Sequence, residues 1–170
     1  MNEKVRLAFY KTQKGDWFGG LITWWTGIFN RKTPPYSHVE IGFFADGKWQ
    51  YYSSSSRNPD GTNGTRWVDQ DTLLRNRERW DVYVVNPIRE QNDMIKDCNY
   101  ELGNKYDWLG IFGFATLFGQ INSKQKWYCS EVCHYIFFGK WRKRVSPKRF
   151  FVEIRSYINA LLCPNITGDA

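Results

Sequence analysis

Hydrophobic and polar residues alternate along several short stretches of the chain, and each stretch predicts a β-strand. These stretches are residues 5–10, 38–44, 49–53, 66–68 and 81–86. Asp46-Gly47 separates the second stretch from the third and predicts a hairpin, because this dipeptide favours a tight two-residue turn. The first half of the chain therefore predicts a small antiparallel sheet.

Helical spacing of apolar residues dominates the rest of the chain. The predicted helices are residues 17–29, 90–102, 108–118, 129–138 and 147–162. Ser146-Pro147 favours a helix start, since proline suits the first helical position. Strands and helices in this order predict an α+β fold, in which a small antiparallel sheet packs with helices. We expect one domain over residues 1–163 and a frayed tail at residues 164–170.

Composition and charge narrow the class of protein. The chain has 170 residues, 18% of them aromatic, and a formal net charge of +7. Much of the positive charge lies on Lys140, Arg142, Lys143, Arg144, Lys148 and Arg149. These residues predict either a solvated helix end or a contact with an anionic surface. The sequence has no motif that reads nucleic acid, so sequence-specific binding of DNA or RNA is not expected.

The four cysteines are too few for a disulfide-stapled scaffold, and we expect all of them to be reduced. Cys129 and Cys133 are one helical turn apart and project in directions poorly suited to a disulfide. Together with His134 they offer metal-ligand types, but the sequence lacks a second pair at zinc-finger spacing. It also lacks a glycine-rich phosphate loop of the usual spacing. We therefore expect neither a metal nor a cofactor.

Cys129 and His38 are the main candidates for chemistry. Cys129 lies where an aromatic stretch turns into a helical pattern, and the positive end of a helix dipole favours a thiolate. His38 begins a predicted strand, where an imidazole can take a proton and return it. The alternative is structural, since a buried cysteine often acts as a small hydrophobe, and Cys133 fits that role better. His134 is the weaker base because it lies off the helical face of Cys129.

A third polar group should orient the His38 ring through its other nitrogen. The candidates are Glu40, Gln50, Ser53 and Ser55. Glu40 shares one face of the strand with His38, although a cross-strand salt bridge would suit it equally well. The other three lie on the return strand or just beyond it. The sequence does not choose among the four, and backbone N–H groups at the Cys129 helix start are the simplest oxyanion donors.

Five groups of residues, in a fixed order, make the chain resemble a known superfamily. They are residues 21–27 with 36–40, residues 53–56 with Asp60, Gly61 and Arg66, residues 103–110, residues 127–131, and Ser146-Pro147. Together they are similar to the circularly permuted papain-like cysteine hydrolases of the NlpC-type superfamily. Relatives include YiiX/YebB-like bacterial and phage proteins and, more distantly, lecithin:retinol acyltransferase-like enzymes. In that branch the histidine strand precedes the cysteine helix, as it does here.

The resemblance implies a permuted papain-like fold and a thiol hydrolase with Cys129 as nucleophile and His38 as base. Members cleave amide bonds in cell-wall peptides, or act on acyl esters and amides of lipids, so the implied partner is a peptide or acyl-amide substrate. Some relatives carry His or Glu on the return strand, where this chain has Tyr51, Tyr52 and Ser53. The alternatives are a lipid acyl hydrolase or acyltransferase at a membrane surface, and a catalytically silent virion or binding protein.

The sequence shows no N-terminal signal and no apolar run near the ~20 residues of a spanning helix. We therefore expect a cytoplasmic or virion-associated protein. The cysteine chemistry further requires that folding bring Cys129 and His38 together in an open crevice. Nothing in the sequence specifies the oligomeric state.

Overall fold

The computed structural model describes residues 4–12, 36–56, 58, 60–106, 126–143 and 145–162. Its strands are β1 (Val5–Lys11), β2 (Tyr36–Ala45), β3 (Lys48–Ser55), β4 (Gly64–Asp69), β5 (Trp80–Val85), β6 (Lys105–Tyr106), β7 (Lys126–Trp127) and β8 (Ile158–Leu162). Its α-helices are α1 (Gln70–Leu73), α2 (Gln91–Tyr100), α3 (Cys129–Phe138) and α4 (Pro147–Ile154). Two 3₁₀ segments cover Leu74–Arg79 and Arg155–Tyr157.

Six of the strands form one antiparallel sheet in the order β4-β3-β2-β1-β5-β8. The remaining two, β6 and β7, form a short parallel pair. The hairpin between β2 and β3 turns at Asp46 and Gly47, whose φ angles are 52° and 77°. Positive φ at both positions is what a tight two-residue hairpin turn requires. The predicted α+β class, with an antiparallel sheet, is confirmed.

The two faces of the sheet carry separate apolar clusters, because side chains alternate along each strand. Val5, Leu7 and Phe9 of β1 join the larger cluster, to which α2, α3 and α4 also contribute. The intervening Ala8 joins the smaller cluster, which contains Trp80. Helix α3 packs against β2 and β3. The helix that begins at Cys129 therefore lies beside the strand that carries His38.

The predicted last helix, residues 147–162, is wrong in its second half. Helix α4 starts at Pro147 as expected, with the Ser146 side chain accepting a hydrogen bond from the Arg149 N–H. It ends at Ile154, and the chain continues as β8, which pairs with β5. A short apolar run fits a strand as well as a helix. Pairing with the edge of β5, which satisfies backbone hydrogen bonds, decides between them.

Helix α3 spans residues 129–138 and ends at Gly139 in a left-handed conformation, as the sequence predicts. The predicted helices at residues 17–29 and 108–118, and the tail at residues 164–170, lie outside the described residues. Within the described ranges, no helix has the length and apolar character needed to cross a lipid bilayer.

Candidate active site

Cys129 is the first residue of α3, and the backbone around it is arranged as an uncapped helix start. Tyr128 precedes the helix in an extended conformation, and its side chain makes no capping hydrogen bond. Its carbonyl accepts the N–H groups of Glu131 and Val132, each at 3.1 Å. The N–H groups of Cys129 and Ser130 have no acceptor inside the helix, as in the first turn of any α-helix. They form the positive end of the helix dipole beside the sulfur.

His38 lies between two polar groups. Its Nε2 atom is 2.8 Å from Oε1 of Glu40, two residues further along the same face of β2. The ring also interacts with the Cys129 thiol, and this interaction raises the pKa of His38. The Trp80 ring packs edge-on to the imidazole, with centroids 6.2 Å apart.

Arg66 of β4 binds the other side of Glu40. Its Nη1 atom is 2.9 Å from Oε2 and its Nη2 atom 2.6 Å from Oε1, a two-pronged ion pair. Oε1 is therefore shared between Arg66 and His38. The Glu40 side chain is 0% exposed, whereas the exposed fractions are 17% for Arg66 and 22% for His38. Arg66, Glu40 and His38 therefore form a continuous chain of contacts from β4 to β2.

The charges in this chain stabilise one another. Burial by itself would raise the pKa of Glu40, but Arg66 and then His38 lower it to about 2. Burial would likewise lower the pKa of His38, but Coulomb attraction to Cys129 and its hydrogen bond, followed by Glu40, raise it to about 9. At neutral pH the carboxylate is ionised and the imidazole is protonated. The ring can therefore donate a proton as well as balance a negative charge on sulfur.

The expected open crevice is not seen at the sulfur itself. Cys129 is 0% exposed, so only the His38 part of the pair faces solvent. Tyr128 is 3% exposed, and burial, followed by its interaction with the Cys129 thiol, holds the pKa of its phenol well above the usual range. A reactant can therefore reach the sulfur only if the residues around it move.

The structure brings Glu40, of the four candidates for a third polar group, to the His38 ring. Ser53 instead donates its hydroxyl to the Val39 carbonyl at 2.7 Å. Gln50 pairs with Phe43, five residues beyond His38 on β2 and thus about 16 Å away at about 3.3 Å per residue. Ser55, the last residue of β3, lies opposite Gly64 of β4.

Arg66 is the residue that sequence reasoning missed as part of the site. In the sequence, Arg66 was one of the positions that carry the resemblance, but no role was assigned to it. The available signal was a basic residue in a short predicted strand after the β2–β3 hairpin. This signal points to Glu40 only when the strand order β4-β3-β2 is known, because β4 lies two strands from Glu40.

The remaining cysteines and the second histidine have other roles. Cys98 and Cys133 are buried and, like Cys129, form no disulfide, while Cys163 lies outside the described residues. The Cys133 sulfur is 3.6 Å from the Val39 carbonyl, and burial raises the pKa of its thiol well above the usual range. His134 bonds Glu153 at 3.1 Å, and burial lowers the pKa of its ring. In the described ranges, no cluster of three or more His, Cys, Asp or Glu residues is suited to a metal ion.

Comparisons with known proteins add no assignment. No protein-family model matches the chain. No curated protein matches it either. The geometry of the site is therefore the basis for assigning a function.

Proposed function

We propose that this protein is a cysteine-dependent hydrolase, an amidase or peptidase, in which Cys129 is the nucleophile and His38 the acid and base. The observation that carries this is the His38 ring, which interacts with the Cys129 thiol and lies 2.8 Å from Glu40. Covalent acyl-transfer catalysis needs a nucleophile, a base beside it, and a third group that orients the base. Glu40 takes the orienting role.

A permuted papain-like fold of the NlpC-type superfamily is part of the same proposal. Its support is the order of elements: the strand with His38, β2, precedes the helix with Cys129, α3, and α3 packs on that strand. Amides of cell-wall peptides are the substrate class that the resemblance favours, and they are the first to assay.

The first half of the reaction forms a thioester. The thiolate sulfur of Cys129 bonds to the carbonyl carbon of the substrate, and the carbonyl electron pair moves to oxygen. The N–H groups of Cys129 and Ser130 then donate hydrogen bonds to this oxyanion. When the tetrahedral intermediate collapses, the carbon–nitrogen bond breaks and the His38 imidazolium gives its proton to the leaving amine.

The second half restores the enzyme with one water molecule. Neutral His38 takes a proton from water while the water oxygen bonds to the thioester carbon. Collapse of the second intermediate breaks the carbon–sulfur bond, and the sulfur leaves as a thiolate beside the newly formed imidazolium. The products are a carboxylic acid and an amine, so the only reactant consumed besides the amide is water.

Thiol labelling and turnover test this proposal together. Iodoacetamide should label Cys129 in the native protein faster than Cys98 or Cys133, whose thiols are held protonated by burial, and mass spectrometry of tryptic peptides measures this. Cys129→Ser and His38→Ala should abolish turnover of peptide amides and the acyl adduct on residue 129. Cys98→Ala, which removes a buried thiol from α2, is the matched control. Full turnover in both site variants would show that the assignment is wrong.

A second candidate function is acyl hydrolysis or transfer on lipids, and an exposed basic and aromatic surface favours it. Trp141 is 48% exposed, and the Lys143 ammonium lies 4.9 Å from its ring centroid. Arg142 and Arg149 share one carboxylate oxygen of Glu153, at 2.8 and 3.1 Å. The surface therefore keeps a positive excess beside an exposed ring, a combination suited to anionic lipid headgroups. Arg144 lies outside the described residues.

Vesicle co-sedimentation distinguishes the two candidates. If the protein acts on lipids, it should pellet with phosphatidylglycerol vesicles at low salt. Lys143→Glu should reduce this binding. Lys96→Glu, which replaces an exposed lysine on α2, should not. Absence of binding to these vesicles would favour the peptide amidase over the lipid-acting enzyme.

The burial of Cys129 is the observation that favours a catalytically silent binding protein on the same fold. A Cys129 thiol that iodoacetamide does not label in the native protein would support that outcome.

A further inference from the structure

The guanidinium of Arg66 reaches Glu40 from two strands away. Arg66 lies on β4 opposite Ser53 of β3, and β3 in turn pairs with β2, which carries Glu40. Both carboxylate oxygens are bound, and Oε1 is bound a second time by His38. This arrangement fixes the carboxylate plane as well as its position.

Burial makes the charge of Glu40 dependent on that contact. A carboxylate with a fully buried side chain and no partner is strongly disfavoured and takes up a proton instead. Arg66 is the largest influence opposing burial at Glu40, ahead of His38. A protonated Glu40 would no longer attract the imidazolium. The orientation and charge of His38 thus depend on a residue that does not touch it.

We propose that Arg66 is a positioning residue for the proposed hydrolase: it holds Glu40 as an oriented carboxylate, and Glu40 in turn holds His38 against Cys129. The proposal rests on the proposed function for its catalytic consequence, but the coupling from Arg66 to His38 can be measured without a substrate. A structural role alone, in which the ion pair merely ties β4 to β2, would leave His38 unaffected once the protein is folded.

Several other charged or titratable groups surround this chain and must be kept constant in any test. They are Cys129 and Cys133 of α3, Tyr51 of β3, and Tyr10 of β1, which lies opposite His38. Tyr10 also accepts a hydrogen bond from Arg79 at 3.0 Å. The variants below leave all of these in place.

NMR titration of the histidine ring protons gives the direct readout. The chain has two histidines, so His134→Gln identifies the His38 signal. The wild-type signal should titrate near pH 9, and Arg66→Met should lower this midpoint by about one pH unit or more. Arg66→Lys should fall between them, because an ammonium restores the charge without the two-pronged contact. Arg89→Met is the control, since Arg89 also forms an arginine–carboxylate pair, with Asp97, although these side chains are 24% and 26% exposed, and it should leave the midpoint unchanged.

A double variant separates action through Glu40 from a general loss of structure. Arg66→Met leaves a buried carboxylate without its partner and can weaken folding, whereas Glu40→Gln with Arg66→Met removes both charges. If Arg66 acts through Glu40, the double variant should have the same His38 midpoint and the same kcat as Glu40→Gln alone. At pH 8 the protonated fraction of His38, and kcat with it, should fall about twofold when the midpoint drops from about 9 to about 8, and about a further fivefold when it drops to about 7. KM should change less than kcat.

Two outcomes would overturn the proposal without touching the hydrolase assignment. One is a folded Arg66→Met protein whose His38 midpoint matches wild type while Glu40→Gln shifts it. The other is a double variant whose loss is the full sum of the two single losses. Conversely, turnover that survives Cys129→Ser would reject the hydrolase and still leave the Arg66–His38 coupling measurable.

Discussion

Replacing Glu40 by glutamine should remove a large part of the acid sensitivity of the fold. In the unfolded chain Glu40 takes up a proton near its ordinary pKa of 4.5, whereas in the folded protein its pKa is about 2. Between these two values the unfolded state binds more protons, so the free energy of unfolding falls as pH falls. The contribution of Glu40 is fully present above pH 4.5 and is lost as pH drops through 2.

The lowering of this pKa from 4.5 to about 2 sets the size of the effect. At about 1.4 kcal/mol for each pKa unit, the whole contribution is about 3 kcal/mol, and about 2 kcal/mol of it is lost by pH 3. Glu40→Gln has no such proton to bind. The glutamine variant should be the less stable protein at pH 5.5, because Arg66 loses its buried partner, and the gap to wild type should shrink by about 2 kcal/mol at pH 3.

Urea unfolding followed by tryptophan fluorescence measures this gap at pH 5.5, 4.5, 3.5 and 3.0. His38 is protonated in the folded protein throughout this range, so its titration does not interfere. Glu153→Gln is the control, since Glu153 also meets two arginines but its side chain is 25% exposed, where an ion pair contributes less. An unchanged gap between wild type and Glu40→Gln from pH 5.5 to 3.0 would refute the reasoning.

Three further outcomes follow from other parts of the structure. The kcat/KM of an amide substrate should fall above pH 9 as His38 loses the proton it gives to the leaving amine, and a rate that stays constant up to pH 10 would contradict that role. Gly42→Ala should cost about 1–3 kcal/mol in thermal unfolding, because the added Cβ would lie 2.6 Å from the buried Tyr51 ring, and an unchanged Tm would show that the ring moves freely. Ser146→Ala should destabilise the fold by about 1 kcal/mol through loss of the α4 cap, while Ser146→Asp should retain wild-type stability.

Local sequence signals were enough to predict most of the described elements. Strand alternation and the Asp46-Gly47 turn gave the β2–β3 hairpin, and Gly139 marked the end of α3 correctly. These features depend on contacts within a few residues. The strand β8 was missed because its identity depends on pairing with β5, which is remote in the chain.

Some residues of the candidate site could also be predicted from local sequence, whereas others required contacts between distant parts of the chain. The thiol, the imidazole and Glu40 could be named from a helix start and a strand face, because each is a local property. Choosing Glu40 over Gln50 and Ser53 required the register of β2 against β3, which the sequence left open. The role of Arg66 required the order of three strands, β4-β3-β2, and could not be reached from its neighbours in the chain.

Cys133, one turn beyond Cys129 in α3, lies at the contact between this helix and the β2–β3 hairpin. Its sulfur lies within 3.7 Å of three oxygen atoms, the Val39 and Tyr52 carbonyls and the Ser53 hydroxyl. The helix is thus seated directly on the backbone of the two hairpin strands. A bulkier side chain at this position would push the helix away from the hairpin and change the separation of the Cys129 sulfur and the His38 ring without altering either residue.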